Sequence, residues 1–226
     1  MIDDLLLRLS GELGWTFVPF DRDVDYRTYF DGRSRSEGVH SFLSSRGIRI
    51  PEGRSDDPAD ADTALSLGKR KGEAVARALD EGVTALSGVR RYLETASRTG
   101  VRTGVISASA NTLPMLHVAG LAPLIETWVD ADVIRAEGAR TPPAPDLLLA
   151  ACRRLDVPPH LAVTFTHRPA GVAAGRAAGM RVIGIGAGPD DELLRGFGAE
   201  LVVPSLSALL DRAVADAAGN PAARAR

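Results

Sequence analysis

Apolar positions in the first third of the chain recur at helical spacing. Leu5, Leu6, Leu9 and Leu13 form one stripe, and Val39, Phe42 and Leu43 form a second within EGVHSFLSSRG. Residues 61–79 predict a third helix. Between the second and third, RIPEGRSDDPAD is polar and rich in Pro and Gly, so a solvated loop is expected there. The one apolar, strand-like stretch near the N-terminus is WTFVPF, residues 15–20, and Pro19 argues against a central place for it in a sheet.

The pattern changes near residue 83. Short β-branched runs appear at residues 101–107, 161–165, 181–185 and 201–203, with a weaker one at 127–129. Helical stretches at 88–99, 113–119, 145–155, 169–178 and 190–197 separate them. Strands alternating with helices predict an α/β fold whose parallel sheet is covered on both faces. Ligands of such sheets sit at the carboxyl ends of the strands. The expected organisation is a helical unit over residues 1–83, an α/β core over 84–215, and a low-complexity, flexible tail over 216–226. No internal repeat is visible.

Composition narrows the function classes. The 226 residues are 45% hydrophobic and carry a formal net charge of −2 with both signs interspersed. That balance gives no electrostatic reason to expect nucleic acid or an anionic membrane as partner. Cys152 is the only cysteine, which excludes an internal disulfide or a cysteine-rich zinc site. Asp3 and Asp4 stand where a signal peptide would carry basic residues, and no apolar run reaches about twenty residues. A cytoplasmic location is expected. Lys69 and Lys71 are the only lysines.

Three segments carry chemistry. VISASAN, residues 105–111, ends a predicted strand and opens a helix. There Ser107, the following N–H groups of Ala108 onward, and Asn111 would suit a phosphate, although an ordinary helix N-cap also reads this way. The second segment is PPAPDLLLAACRRLDVPP, followed by LAVTFTHRPAGVAAGRAAGMRVIGIGAG. The third is YRTYFDGRSRSEGVHSFLSSRGI together with LGKRKGE. In order and spacing these resemble the haloacid dehalogenase (HAD) superfamily in its β-phosphoglucomutase-like branch. The likeness covers nearly the whole chain, to about Leu210, with Pro143, Pro145, Asp146, Ala170, Gly171, Ala178 and Gly179 in register. It implies a three-layer HAD-like core with an N-terminal helical cap. It also implies that Arg35 and Lys71 of the cap grip a phosphate that is not being transferred. Gly72 replaces the usual asparagine beside that lysine.

The same resemblance shows what differs. HAD phosphotransferases use a first strand ending in Asp-x-Asp, whose first aspartate is the nucleophile and whose second is the general acid–base. The sequence opens within what corresponds to the helix after that strand, and Asp3-Asp4 precedes a helical stripe, so the first strand is expected to be missing. The family lysine that neutralises the phosphoryl oxygens falls at Pro142, with Arg140 nearby. The Glu-Asp pair that holds magnesium falls at Thr166 and His167, followed by Arg168. Imidazole and guanidinium suit Mg²⁺ poorly, so no cofactor is expected.

The leading expectation is a relative without phosphoryl-transfer activity that binds a phosphorylated metabolite between cap and core, or acts as an interaction protein. An enzyme of altered, metal-independent chemistry is the alternative, with His167 as acid or base beside Asp130 or Asp132. A conventional phosphatase or mutase would require an Asp-x-Asp from an N-terminal segment. His160, His167 and Cys152 match no zinc spacing, and GIGAG reads as a strand-end turn. Without its first strand, the sheet is expected to close by direct pairing of the strands at 101–107 and 161–165. Homodimerisation through the surface so exposed is a corollary.

Overall fold

The structure is a computed structural model that describes residues 2–21, 24–30 and 35–219. Its contacts divide the chain into two units, Met1–Gly82 and Val83–Arg226.

The first unit is helical among its described residues: α1 (Ile2–Leu13), a π-helical turn at Tyr26–Phe30, α2 (Arg35–Ser45) and α3 (Ala64–Asp80). The apolar stripes meet in one core. Leu5 and Leu6 of α1 pack with Val39, Phe42 and Leu43 of α2, and with Leu67 of α3. Phe20 and Tyr29 set their rings edge-on against Phe42. Residues 15–20 form no strand. The N–H of Phe20 donates to Asp3 Oδ1 at 2.6 Å, and the Arg46 guanidinium bonds the carbonyls of Val18 and Pro19. Arg46 also pairs with Asp25 at 2.8 Å and lies over the Phe42 ring, so this extended segment is tied to the helical core. α3 begins at a Thr63 cap, whose Oγ1 accepts the Ser66 N–H. The polar loop before it is fastened by Lys69, which donates to the carbonyls of Ser55 and Asp57.

The second unit alternates strands and helices. In order they are α4 (Val89–Arg98), β1 (Gly104–Ile106), α5 (Thr112–Val118), β2 (Thr127–Val129), α6 (Ala131–Glu137) and α7 (Asp146–Arg154). Then follow β3 (Val163–Thr166), α8 (Pro169–Ala177), β4 (Arg181–Ile185), α9 (Pro189–Gly196), β5 (Leu201–Val203) and α10 (Leu206–Gly219). All pairings are parallel. β1 aligns with β2 through Val105↔Trp128, β3 with β4 through Phe165↔Ile183, and β4 with β5 through Gly184↔Val202. Val129, Leu147, Ala150 and Ala151 fill the core of the β1–β2 half; Val172, Val182, Leu194 and Val202 fill that of the other.

α8 lies close on its strands because of glycine. A Cβ at Gly175 would sit 2.6 Å from methyls of both Thr164 and Val182, and one at Gly171 would sit 2.2 Å from Thr166 Oγ1. The pair, four residues apart, faces one side of the helix and lets the threonines of β3 seat against its backbone.

One expectation is corrected. The sheet does not close by pairing β1 with β3: the described strands form a two-stranded sheet β1-β2 and a three-stranded sheet β3-β4-β5. Closure was expected because buried unpaired backbone groups are costly. On these two strands Gly104 and Val163 are exposed, while Ile106 and Phe165 are half-buried. α10 continues to Gly219, and residues 220–226 lie outside the described part. Among the described residues, no helix is long and apolar enough to cross a membrane.

Candidate functional site

Within each sheet of the second unit the strands are parallel, so their carboxyl ends share one edge of that sheet. β1 runs into Ser107, β2 into Asp130, and β3 into Thr166 and His167. Since Ile106 is level with Val129, Ser107 and Asp130 leave their strands at the same height.

The Ser107 loop is organised by its own hydroxyls. The Ser107 N–H continues the ladder to the Val129 carbonyl at 2.9 Å, while its Oγ accepts the Ser109 N–H at 3.1 Å. Ser109 Oγ in turn accepts the Asn111 N–H at 3.1 Å, and Thr112 Oγ1 donates to the Ser109 carbonyl at 2.7 Å. These successive turns leave the N–H groups of Ala108 and Ala110 without a described acceptor. Ser107 Oγ accepts in this network and keeps its own proton to donate. An anion placed over the loop would therefore find a hydroxyl and backbone donors together.

Asp130 is buried, at 6% exposure, and its carboxylate has a structural task. Oδ1 accepts the N–H groups of Asp132 and Val133, which caps α6. Sequence reasoning considers Asp130 for proton transfer and misses this helix, although an aspartate just before ADVIRAE is an N-cap signal.

At the end of β3, Thr166 Oγ1 accepts the Arg168 N–H at 3.1 Å. Arg168 Nε donates to His167 Nε2 at 3.2 Å, so the imidazole offers that nitrogen as an acceptor; both side chains make further interactions. The groups presented here are a hydroxyl, an imidazole and a guanidinium. A magnesium ion takes carboxylate and water oxygens, and this donor set does not fit it. Among the described residues, no group of three or more His, Cys, Asp or Glu side chains converges as a metal site.

Arg140 is engaged elsewhere. Its Nε and NH2 bond the two oxygens of Asp146 at 3.1 and 3.0 Å, and its backbone N–H bonds the same carboxylate. The guanidinium holds the Asp146 carboxyl below the usual range and is itself raised by the pairing. This fork fastens the loop around Pro142 to the start of α7.

In the first unit, Lys71 Nζ lies 5.8 Å from the ring centroids of Tyr26 and Phe30. The Arg35 side chain lies outside the described part.

A haloacid dehalogenase-like hydrolase family model matches residues 25–179. The β-phosphoglucomutase of Mycobacterium bovis is 42% identical over 215 residues, which cover 93% of this chain and 82% of that protein. Among solved structures, β-phosphoglucomutase from Clostridium difficile superposes with a TM-score of 0.72 at 21% identity, covering 92% of this chain and 85% of that one. A CbbY mutant from Rhodobacter sphaeroides, solved with xylulose-(1,5)bisphosphate, gives a TM-score of 0.63 at 23% identity over 91% and 87% of the two chains.

Proposed function

The chain belongs to the haloacid dehalogenase-like hydrolase family, with β-phosphoglucomutase homologues, and from that premise we propose that it binds a phosphorylated metabolite without transferring the phosphoryl group. The observation that carries this reading is the end of β3. Where the family's pattern calls for a magnesium-holding Glu-Asp pair, this chain presents Thr166 and His167. The Thr166 hydroxyl accepts the Arg168 N–H, and the His167 imidazole is bonded to Arg168. Phosphoryl transfer depends on cations that neutralise charge developing on the equatorial oxygens. Pro142 at the place of the family lysine offers none, and Arg140 is held by Asp146.

Binding needs less than transfer. The Ser107 hydroxyl and the N–H groups of Ala108 and Ala110 supply neutral donors for a phosphate. Arg168 supplies a positive charge at the neighbouring strand end. The ligand class follows from the relatives: a β-phosphoglucomutase handles a sugar phosphate, and the CbbY structure holds a sugar bisphosphate. The resemblance assigns Arg35 and Lys71 to the phosphate that is not transferred, and that assignment belongs to the same proposal.

The test is calorimetry with glucose 6-phosphate and with inorganic phosphate, with and without magnesium, alongside phosphatase and glucose-phosphate mutase assays. Saturable binding that does not require magnesium, without turnover, is expected. Turnover that rises with magnesium and survives repurification would overturn the proposal.

A further inference from the structure

Three aromatic side chains leave the π-helical turn at Tyr26–Phe30, and two of them are committed to the core of the first unit. Phe30 is 9% exposed and packs with the rings of Phe20 and Phe42. Tyr29 is half-buried with its ring edge-on to Phe42. Tyr26 differs. It is 42% exposed, and its ring stacks on that of Phe30 at 6.1 Å, within 10° of parallel. The Tyr26 ring is therefore an accessible platform backed by Phe30, which is itself backed by Phe42. The π-helix is rare, and single turns of it recur at functional sites.

Lys71 of α3 brings a positive charge to the same place. Its Nζ lies 5.8 Å from the centroid of Tyr26 and 5.8 Å from that of Phe30, so the ammonium sits astride the stacked pair. Lys71 makes a further interaction as well. A flat apolar surface and a positioned cation thus stand side by side within one unit of the chain.

We propose that Tyr26 selects the body of the ligand: a closed sugar ring lays its C–H face on the tyrosine while the phosphate it carries meets Lys71. This rests on the reading that the chain binds a phosphorylated metabolite, and adds the residue that distinguishes a cyclic sugar phosphate from an open-chain one. Stacking on an aromatic ring rewards a partner whose apolar face is rigid and flat. A pyranose holds its C–H groups on such a face. An open-chain polyol turns its hydroxyls to all sides, and must give up rotational freedom before its C–H groups can face one way. The exposure of Tyr26 points in the same direction. A sugar stacked there keeps its hydroxylated rim in water, whereas a flat aromatic base would leave its second apolar face exposed.

The full chain would be titrated by calorimetry with glucose 6-phosphate and with sorbitol 6-phosphate, which has the same number of carbons and the same phosphate but no ring. The cyclic ester should bind more tightly by about tenfold, the effect of burying about two C–H groups. Tyr26→Leu keeps an apolar side chain on Phe30 and removes the flat face. It should abolish the preference by weakening glucose 6-phosphate, and leave sorbitol 6-phosphate unchanged, since Phe30 still underlies Lys71. Tyr26→Phe should keep the full preference. A second measurement needs no loss of packing: transferred NOEs should run from tyrosine ring hydrogens to the C–H hydrogens of glucose 6-phosphate, and Tyr26→Phe should remove them without loss of affinity. Equal weakening of both esters by Tyr26→Leu would make Tyr26 a packing residue and overturn the proposal. So would equal affinity of the unaltered chain for the two esters, or NOEs that survive Tyr26→Phe. In those cases the chain still binds a phosphate ester and the underlying reading stands; an unaltered chain that binds neither ester overturns both.

Discussion

Gly175→Ala should destabilise the second unit, although alanine is the better helix former. A Cβ at this position in α8 would meet Thr164 Cγ2 and Val182 Cγ2, each at 2.6 Å. Carbon atoms rest at about 3.5–4.0 Å, so both contacts are short by about 1 Å. Thr164 and Val182 are β-branched residues on strands, with stiff χ1 angles, and cannot turn both methyls aside. The helix must lift from β3 and β4 instead. Overpacking of this kind costs about 1–3 kcal/mol. The helical preference of Ala over Gly returns about 1 kcal/mol, which leaves a net loss of up to about 2 kcal/mol. Gly196→Ala is the control, because this glycine in α9 is exposed and has nothing within 4 Å of its would-be Cβ. It should gain about 0.4–1 kcal/mol. Urea unfolding would be followed through Trp128 of β2, in a Trp15→Phe background that silences the first unit. With slopes of about 1–3 kcal/mol per molar, the Gly175→Ala midpoint should fall by up to about 2 M while that of Gly196→Ala rises. A Gly175→Ala protein as stable as its parent would refute the close-packing account of α8.

Ser107→Ala should weaken phosphate-ester binding by about tenfold or more, the loss of one hydrogen bond to a charged group, measured by calorimetry; unchanged affinity would remove Ser107 from the site. Arg35→Ala should weaken binding by a similar factor, and Pro142→Lys alone should restore no phosphatase activity in a magnesium-containing assay. The Arg140 guanidinium depresses the Asp146 carboxyl, so this pair contributes stability above the ordinary aspartate range that is lost as pH falls through the lower, folded-state value. Arg140→Met should therefore flatten the loss of stability on acidification below about pH 4, read from melting temperatures across pH. Leu147→Ala should cost about 2–5 kcal/mol in urea unfolding, because this side chain is buried among Val129, Ala150 and Ala151.

Periodicity determined the type of most elements, though it missed α6. The stripe of Leu5, Leu6 and Leu9 could only be buried from a helix, and β-branched runs alternating with helical stretches led to the parallel pairings of the α/β fold. The motif around Ser107 was legible because its residues are consecutive, and so was the family to which the chain belongs. What the tertiary structure decided depends on partners distant along the chain. The reach of Arg46 to Val18 and Pro19 and the packing of Tyr92 on Phe165 leave no periodic trace. Asp130 illustrates the difference at one residue: its place at a strand end and before ADVIRAE was readable, but its burial was not, because that depends on what packs around it. Whether β1 and β3 pair was beyond sequence reasoning, because it depends on where α4, α7 and α8 hold the two strands.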